Sequence, residues 1–392
     1  MIKAIEANEL STPSQAKNLR IAHILSGSQV WGVENYVHNL LQSPNAESIK
    51  PLIICTKESS ISQKFRESNF EVTIFPINGY FDFGAMNRLK SLLLNEKIHL
   101  VHLHLGLDSF VGAFAAKLAN IPSIMSVHFD HPNWIKYSFL KRSIWRQLQM
   151  LKNNYIAHFL PITENVGREL SLREAVPMDK ITVVHPGIPL FEVAETTDSE
   201  MRLSLGASDE DVVIIGIGRL EIEKNFSCVV ESIAALDQSL PVKVWIVGDG
   251  SQRTALEQLV IEKNLSHKVR LLGYRSDIVK LLACSDIFVL ASIAEPFGMS
   301  AVEAMIAKLP VVATQGPGLG TIVSDKETGL LVPPGDATGL SQALTLLVKD
   351  SSLRSRFAAA GRARAENLFS SDFMASKVVQ IYRKVTENFV SK

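Results

Sequence analysis

The chain has 392 residues, of which 46% are hydrophobic and 20% charged, and its 40 basic residues balance 40 acidic ones. This composition is typical of a soluble globular protein, and the zero net charge argues against nucleic acid as a partner. The length exceeds what one ordinary core accommodates, so it predicts two domains of somewhat under 200 residues each.

Residues 1–18 are polar and contain no continuous apolar core, so we expect a flexible N-terminal extension rather than a signal peptide. No later run approaches the roughly 20 apolar residues that a spanning helix needs. Three widely separated cysteines, Cys55, Cys228 and Cys284, suggest neither a disulfide framework nor a thiol zinc site. We therefore expect a cytoplasmic protein that at most lies on the inner face of a membrane.

Short runs of branched aliphatic residues alternate with stretches of helical spacing in the first half. They predict strands at 19–25, 52–56, 72–77, 100–104, 124–128, 159–163 and 181–184. Helical spacing occurs at 35–41, 86–95 and 110–119. This alternation predicts an α/β fold, a parallel sheet flanked by helices.

A segment rich in proline, glycine and polar residues follows at 186–199, and the alternation then restarts. The second set of predicted strands lies at 212–218, 242–248, 269–273, 287–292, 310–314 and 330–332. We predict a Rossmann-like domain at 19–190, a second one at 191–370, and a C-terminal helix at 371–392 that packs back on the first domain. Ligands of such doubly wound sheets bind at the carboxyl ends of the strands, so the site is expected in the cleft between the domains.

Glu295 lies three positions after the end of the predicted strand at 287–292, and Pro296 separates it from the next helix. A carboxylate exposed at a strand end can accept hydrogen bonds from sugar hydroxyls. The next helix is predicted to start near Ser300, which leaves free N–H groups that cradle an anion, those of Phe297, Gly298 and Met299.

Glu303 has two interpretations. It lies eight positions after Glu295, as a second carboxylate of one site would. With Ser300 it also satisfies the S-x-x-E pattern of a capping box, which stabilises a helix start and has no chemical role. The residues alone leave both open.

Arg219 follows the first strand of the second domain, and Lys224 lies five positions later. Two cations at the carboxyl edge of a sheet suit a diphosphate, although either could be a solvated surface charge. In the first domain, Gly27 and Gly32 lead into a helix expected near Val33, a turn that can present amides to phosphate. The residues alone favour the alternative, an ordinary strand-to-helix turn.

Several histidines gather near strand ends, but none shows a metal-ligand pattern, so no metal site is predicted. His99 and His102 are expected to be core residues with satisfied ring nitrogens. His128 is the histidine placed to reach the cleft.

Some enzyme classes lack their usual motifs in this sequence. GIGRLE and GDGSQR begin as G-x-G but have no third glycine, which disfavours a dehydrogenase. Neither a G-x-S-x-G elbow nor a G-x-x-x-x-G-K-[ST] loop occurs, so hydrolase and NTPase functions lose support.

The motifs taken together resemble retaining glycosyltransferase family 4, over nearly the whole chain. The resemblance is carried by Gly32 with Glu34, His128, Arg219, Lys224, GDG at 248–250, EPFG at 295–298 with Glu303, and GLLVPPGD at 329–336. It implies the GT-B fold, in which two Rossmann-like domains face each other across a cleft. It also implies a reaction that needs no cofactor and no catalytic metal.

By the same resemblance, Arg219 and Lys224 bind the diphosphate of a nucleotide-sugar donor. Glu295 and the amides of residues 297–299 hold the sugar, and Glu303 takes the ribose hydroxyls. Tyr274 and Arg275 would lie beside the base, with His128 near the transferring sugar.

Three departures from the family pattern concern loops: Trp31 in place of a second glycine, HPGIP at 185–189, and Thr321 in place of a glutamate. They leave the acceptor open rather than the reaction class.

The implied reaction transfers a hexosyl group, with retention, from a nucleoside diphosphate sugar to an acceptor hydroxyl. UDP-glucose or a related UDP-hexose is the expected donor, and the acceptor is a carbohydrate or a lipid-linked one of surface polysaccharide or lipopolysaccharide synthesis. Two alternatives are a nucleotide-sugar epimerase of the same fold and a non-catalytic nucleotide-sugar binding protein.

Residues 134–152 predict a membrane-facing segment. No acidic residue lies between Asp130 and Glu164, while five basic ones occur, Lys136, Lys141, Arg142, Arg146 and Lys152. Helical spacing favours a core face formed by Tyr137, Leu140, Ile144, Leu148 and Leu151, with Trp134, Phe139 and Trp145 free to enter an interface. The alternative is an amphipathic helix packed on the sheet with a solvated basic face.

Overall fold

The computed structural model describes residues 18–26, 31–104, 106–128, 138–193 and 198–391. Residues 134–137 of the basic segment, Gly27 and the predicted extension apart from Asn18 lie outside the described residues. So do the side chains of Phe139, Leu140 and Arg142 in the same segment. Along the described ranges, none of the helices combines the length and apolar character required to cross a membrane.

The first sheet has six parallel strands in the order β3-β2-β1-β4-β5-β6. Their bounds are β1 Leu19–Leu25, β2 Ile49–Cys55, β3 Glu71–Ile74, β4 Leu100–Leu103, β5 Ser123–Val127 and β6 His158–Pro161. The helices between and after them are α1 Trp31–Gln42, α2 Ser60–Glu67, α3 Phe83–Asn95, α4 Gly106–Leu118, α5 Phe139–Asn153 and α6 Glu164–Glu174.

The second sheet repeats that order, as β12-β11-β10-β7-β8-β9. Its strands are β7 Val212–Ile217, β8 Val242–Val247, β9 Val269–Gly273, β10 Ile287–Leu290, β11 Val311–Thr314 and β12 Gly329–Val332. The helices are α7 Ser199–Ser204, α8 Phe226–Ala234, α9 Arg253–Glu262, α10 Ile278–Ala283, α11 Met299–Ile306, α12 Leu319–Ile322, α13 Ala337–Lys349, α14 Ser351–Phe369 and α15 Ser371–Val390.

The strands are buried because helices cover both faces of each sheet. Alternate residues of β1 belong to different cores: Ile24 packs beneath α4, whereas Ile21 and Leu25 pack beneath α1. The period of two along a strand produces this division. The α/β fold with two doubly wound domains, expected from the aliphatic runs, is confirmed.

One predicted strand is not formed. Residues 181–184 form an isolated bridge, between Ile181 and Phe159 of β6, and the N–H groups of Thr182 and Val184 donate to the carbonyls of Phe159 and Pro161, at 3.0 Å each. The segment is short and is followed by the proline at 186, so it adds these bonds to the sheet edge without forming a full strand.

The last helix, α15, packs on the first sheet although it follows the second one in the chain. Its Met374, Val378 and Tyr382 belong to the same buried cluster as Tyr36 and Leu100 of the first domain. The crossing occurs where Ile188 exchanges backbone hydrogen bonds with Phe369 and Ser371, at 2.9 and 3.0 Å.

Glycine is required at this crossing. A Cβ atom at Gly187 would lie 2.6 Å from the carbonyl oxygen of Ser370 and 2.6 Å from the Cα atom of Ser371. Neither atom belongs to a flexible side chain that could move aside, so the two backbones approach this closely only because residue 187 has no side chain.

Candidate functional site

The site predicted in the second domain is built where its strand order reverses. β7 and β10 are neighbours at the centre of the sheet, and the chain leaves them toward opposite edges. Such a switch point opens a crevice at the carboxyl ends of the strands. The loop after β10 is joined to the loop after β7 by a hydrogen bond from the Ile293 N–H to the Glu223 carbonyl, at 2.8 Å.

Lys224 and Glu295 lie on these two loops and form an ion pair, through Nζ and Oε2. The hydroxyl of Ser292 donates a further hydrogen bond to the same carboxylate oxygen, at 3.2 Å. The side chains of Lys224 and Glu295 are only 17% and 11% exposed. The expectation that Glu295 is an exposed carboxylate is therefore wrong, because the loop folds it inward against the lysine.

Lys224 reaches this position through a tight local structure. It ends a short 3-10 helix, Ile222–Lys224, and the next residue, Asn225, has the left-handed backbone conformation with φ 51°. Asparagine tolerates that conformation better than most residues. This turn joins the 3-10 helix to α8 and leaves the lysine side chain paired with Glu295 after β10.

Arg219, the other predicted phosphate cation, lies in a different environment. Its guanidinium donates to Glu223 at 2.9 Å, and both side chains remain open to solvent, at 65% and 41% exposure. It can turn toward a ligand at little expense, since an exposed ion pair contributes about 0–1 kcal/mol.

The loop after β10 leads into α11 through a glycine. The helix begins at Met299, and its N-cap is Gly298, with φ 111°. The capping-box interpretation of Ser300 and Glu303 is therefore wrong, because Ser300 already lies inside the first turn. Among the described residues, none accepts a hydrogen bond from the N–H groups of Phe297, Gly298 or Met299, which leaves three donors for an anion or a hydroxyl.

A second loop, after β11, holds this helix start in place. A Cβ atom at Gly318 would lie 2.2 Å from the carbonyl oxygen of Glu295 and 2.7 Å from the amide nitrogen of Phe297. A Cβ atom at Gly298 would in turn lie 2.7 Å from the side chain of Leu319. The two loops are thus packed backbone against backbone.

Glu303 lies one turn into α11 and is half-buried. Burial raises the pKa of its carboxyl to about 7, and no hydrogen bond to a described residue compensates it. A carboxylate that is desolvated and unpaired in the unliganded protein is suited to accept hydroxyl donors from a ligand.

Phe297 contributes its backbone to this site and its side chain to the domain connection. The ring is buried, with its centroid 5.9 Å from that of His185 and 5.6 Å from that of Phe369. His185 belongs to the segment that leaves the first domain. The helix start of the second domain is therefore in contact with the connection between the domains.

Tyr274 and Arg275, predicted beside the base, follow β9. The tyrosine is 74% exposed. The guanidinium of Arg275 makes two hydrogen bonds to the carboxylate of Asp277, at 2.7 and 2.5 Å. Only the tyrosine ring is available to stack on a base without breaking a contact, and the role of both residues stays a prediction.

In the first domain, Gly32 lies within the first turn of α1 rather than in the preceding loop, since the helix begins at Trp31. No atom of the described residues lies within 4 Å of the position that a Cβ atom of Gly32 would take.

His128 lies at the end of β5 and is buried, with its ring centroid 4.9 Å from that of Tyr36. Burial lowers its pKa to about 3, so the imidazole is neutral. Its Nε2 has no hydrogen-bond partner among the described residues.

A group of three buried histidines lies beneath His128. Ring nitrogens of His23, His102 and His104 lie within 4.8 Å of one another, a spacing that could hold a metal ion. His102, however, already uses both nitrogens, toward the Tyr382 hydroxyl at 2.6 Å and the Ser126 hydroxyl at 2.8 Å. The expectation that His102 is a satisfied core residue fits these contacts. The same expectation for His99 is wrong, because His99 is exposed and its Nδ1 accepts a hydrogen bond from the Arg20 N–H at 3.0 Å.

Two residues of the second-domain site carried no signal in the sequence, and neither did one buried carboxylate of the first domain. Ser292 and Gly318 act through contacts that only the folded loops create. Asp108, in the first turn of α4, is 4% exposed, and burial raises its pKa to about 7. An acidic residue at a helix start is too common to single out in a sequence.

Comparisons with known proteins cover both domains. A model of glycosyltransferase family 4 matches residues 30–190, and a model of the glycosyl transferases of group 1 matches residues 198–364. An uncharacterized glycosyltransferase of Methanocaldococcus jannaschii is 25% identical over 310 residues, which span 77% of this chain and 79% of that protein.

The UDP-Gal:alpha-D-GlcNAc-diphosphoundecaprenol alpha-1,3-galactosyltransferase of Escherichia coli is 27% identical over 362 residues, covering 87% of this chain and 90% of that one. HepE of Anabaena, solved with UDP, superimposes with a TM-score of 0.83 at 19% identity, over 93% of this chain and 100% of HepE. HepE has also been solved with UDP-glucose.

At 19% identity, the superposition with HepE shows a shared fold and nothing about function. The two family matches, in contrast, are matches of sequence, and they follow each other along the chain with only residues 191–197 between them. Together with the repeated sheet order, they show that the chain belongs to the glycosyltransferases of family 4 and group 1 and has the GT-B fold.

Proposed function

We propose that the protein is a retaining, metal-independent hexosyltransferase that uses a UDP-sugar, UDP-glucose or a related UDP-hexose, and acts in the cytoplasm on an acceptor of surface polysaccharide synthesis. The observation that carries the proposal is the set of groups at the β7 and β10 switch point: Lys224 paired with Glu295, beside three amides without protein acceptors. A cation and N–H donors suit a diphosphate, and a carboxylate suits sugar hydroxyls.

In the proposed reaction, negative charge develops on the diphosphate as the glycosidic bond breaks. Lys224, the amides of residues 297–299 and Arg219, once turned inward, stabilise that charge. Removing one such preorganised donor typically lowers the rate by about 10² to 10³. The leaving phosphate takes the acceptor proton on the same face, so that configuration is retained without a protein nucleophile.

The donor assignment has support from the named ligands of related proteins. HepE was solved with UDP and with UDP-glucose, and the E. coli relative is named for a UDP-galactose donor and a diphosphoundecaprenol acceptor. Glu303, one turn into α11, is the proposed partner of the ribose hydroxyls, and exposed Tyr274 that of the base.

The first test is thermal unfolding with UDP, GDP and ADP. A ligand at 100 times its dissociation constant adds about 2.7 kcal/mol to the free energy of unfolding. We expect UDP to raise the Tm more than the other two nucleotides. A larger shift with GDP would overturn the UDP assignment, and no shift with any of them would overturn the donor site.

Further assays separate the reaction classes. With UDP-glucose and a lipid-linked acceptor, we expect a product of retained anomeric configuration, seen by NMR, and the same rate in EDTA. Incubation with donor alone should give neither an isomer nor a stoichiometric release of free sugar. An isomer formed without acceptor would indicate the epimerase instead.

The catalytic assignment is tested by Glu295→Gln, which should lower turnover at saturating donor at least about tenfold while the protein remains folded. Near-normal turnover would remove Glu295 from the site. Lys224→Ala should weaken UDP binding more than uridine binding, because the proposed partner of Lys224 is phosphate.

We also propose that α5 contacts an anionic membrane, in a form that the structure revises. Lys152 is buried and its ammonium donates to Gln149 at 2.6 Å, so it is not one of the surface cations. Trp145 packs on Tyr80, with centroids 5.3 Å apart, instead of standing free. Among the side chains of α5 that the structure describes, the exposed large apolar ones are Ile144 and Leu151, which helical spacing places on the core face.

A further inference from the structure

Lys224 and Glu295 of the proposed donor site form an ion pair with each other in the unliganded protein. Both side chains are largely removed from water, at 17% and 11% exposure, and Ser292 anchors the carboxylate from a third side. Removing one member of a buried pair leaves the other as an uncompensated charge. A ligand that binds one of these two side chains therefore changes the charge balance of the other.

The effect of Glu295 on a ligand depends on whether a sugar is present. A nucleoside diphosphate brings its negative charges to Lys224, close to the carboxylate that already holds it, and like charges at short range repel in a site of low dielectric. Bare UDP offers Glu295 nothing in return. A nucleotide sugar places hydroxyl donors there, and these satisfy the carboxylate.

We propose that the Lys224–Glu295 ion pair makes the site discriminate between the nucleotide sugar and the nucleoside diphosphate that transfer leaves behind. This inference rests on the proposed function, in which Lys224 holds the diphosphate and Glu295 the sugar. After transfer, the carboxylate loses its hydroxyl donors and returns to the lysine, which favours departure of the spent nucleotide.

The test is calorimetric titration of the full chain with UDP and with UDP-glucose. In Glu295→Gln, Lys224 has lost its counter-charge and the repulsion is gone, so UDP should bind about fivefold tighter or more. UDP-glucose should bind no tighter than to the original protein. The preference for donor over UDP, the ratio of the two dissociation constants, should therefore fall.

Two further variants separate charge from shape. Glu295→Asp keeps the charge and should leave the affinity for UDP within about twofold. Glu223→Gln makes the matched change beside the other cation, where the pair with Arg219 is solvated, and it should also change that affinity less than about twofold. If Glu295→Gln does not fold, Glu295→Ser removes the same charge.

The outcomes are distinguishable. If the original protein binds UDP, and neither Glu295→Gln nor Glu295→Ser binds UDP more tightly, the ion pair does not discriminate between the two ligands. The proposed function then still stands. If the original protein binds neither UDP nor UDP-glucose, the proposed donor site itself is wrong. A gain that Glu223→Gln reproduces in full would indicate general electrostatics rather than this pair.

Discussion

Burial of the Glu303 carboxyl lowers the stability of the folded protein when that carboxyl is ionised. The pKa of this carboxyl is raised from an ordinary 4.5 to about 7, so the folded protein binds this proton more tightly than the unfolded chain does. The tighter binding of the proton adds to the free energy of unfolding. That contribution is fully present below about pH 4.5 and is lost as the pH rises through about 7. At pH 8 the folded protein holds a desolvated carboxylate.

We expect Glu303→Gln to raise the Tm of the unliganded protein at pH 8 by a few degrees, because the amide is neutral at every pH. At pH 5.5 the difference should shrink, since the native carboxyl is then mostly protonated. Differential scanning calorimetry at the two pH values checks this. An equal gain at both pH values would mean that the carboxylate is not the source.

The same substitution should weaken nucleotide binding if Glu303 accepts ribose hydroxyls. For the original protein, the affinity for UDP should fall between pH 8 and pH 6 more steeply than it does for Glu303→Gln. The phosphate of UDP titrates identically with both proteins, so the difference in slope isolates the carboxyl. Parallel slopes would remove Glu303 from the ribose site.

The sequence around Glu303 could not decide its role. S-x-x-E describes both a capping box and a helix whose start lies one residue before the serine. The left-handed conformation of Gly298, which makes this glycine the N-cap, decides between them. Glu295 was predicted to be exposed for a similar reason, because its partner Lys224 lies 71 positions away.

At the scale of elements, the loop after β11 supports the loop after β10. A methyl group at Gly318 would meet backbone atoms of Glu295 and Phe297, which move only if the whole loop moves. We therefore expect Gly318→Ala to lower turnover at least about tenfold and the Tm by several degrees, although the φ of −82° suits alanine.

Gly316, in the same loop, and Gly320, in the short helix α12 that follows it, provide the controls for this prediction. No atom of the described residues lies within 4 Å of a Cβ at either position. Gly316→Ala and Gly320→Ala should leave turnover and Tm near those of the original protein. If all three variants behave alike, the loop acts through its flexibility and not through the contact at Gly318.

Helix α5 gives the second element-scale prediction. Its exposed face carries Lys141, Ile144 and Leu151, and each cation near an anionic leaflet contributes on the order of 1 kcal/mol. We expect co-sedimentation with anionic vesicles at low salt, little with neutral vesicles, and release at high salt.

Ile144→Asp should reduce this sedimentation strongly. Ile261→Asp, at a comparably exposed isoleucine of α9 in the other domain, should not. Equal and poor retention of the original protein by anionic and neutral vesicles would contradict the membrane contact.

The strands were predicted more successfully than the surface of α5. All twelve strands of the two sheets were expected within a few residues, because buried parallel strands read as continuous aliphatic runs. A helix face is set by what packs against it. Lys152 is buried because it packs against the sheet, where its ammonium lies 3.6 Å from the Sδ atom of Met125 in β5, and Tyr80 covers part of Trp145. Neither contact is encoded in a helical period.

At the scale of the whole molecule, α15 ties the end of the second domain to the interior of the first. The Tyr382 hydroxyl contacts Nδ1 of His102, 280 positions earlier in the chain, and both residues are fully buried. A buried polar group that loses its partner costs about 1–3 kcal/mol.

We expect Tyr382→Phe to lower the Tm by several degrees, measured by calorimetry, while the affinity for UDP at the second domain stays unchanged. Tyr155→Phe is the control, because Tyr155 is half-buried and its hydroxyl makes no hydrogen bond to a described residue. A Tm equal to that of the original protein would mean that water or a rearranged ring replaces the contact.

The position of α15 also has a consequence for synthesis. A ribosome adds about 5–20 residues per second, so the roughly 200 residues between β6 and α15 take on the order of 10–40 s to appear. During that interval the nascent first domain exposes the apolar surface around Tyr36 and Leu100 that α15 later covers. The first domain is thus the earliest to emerge and the last to be completed, and in the meantime this surface is open to chaperones and proteases.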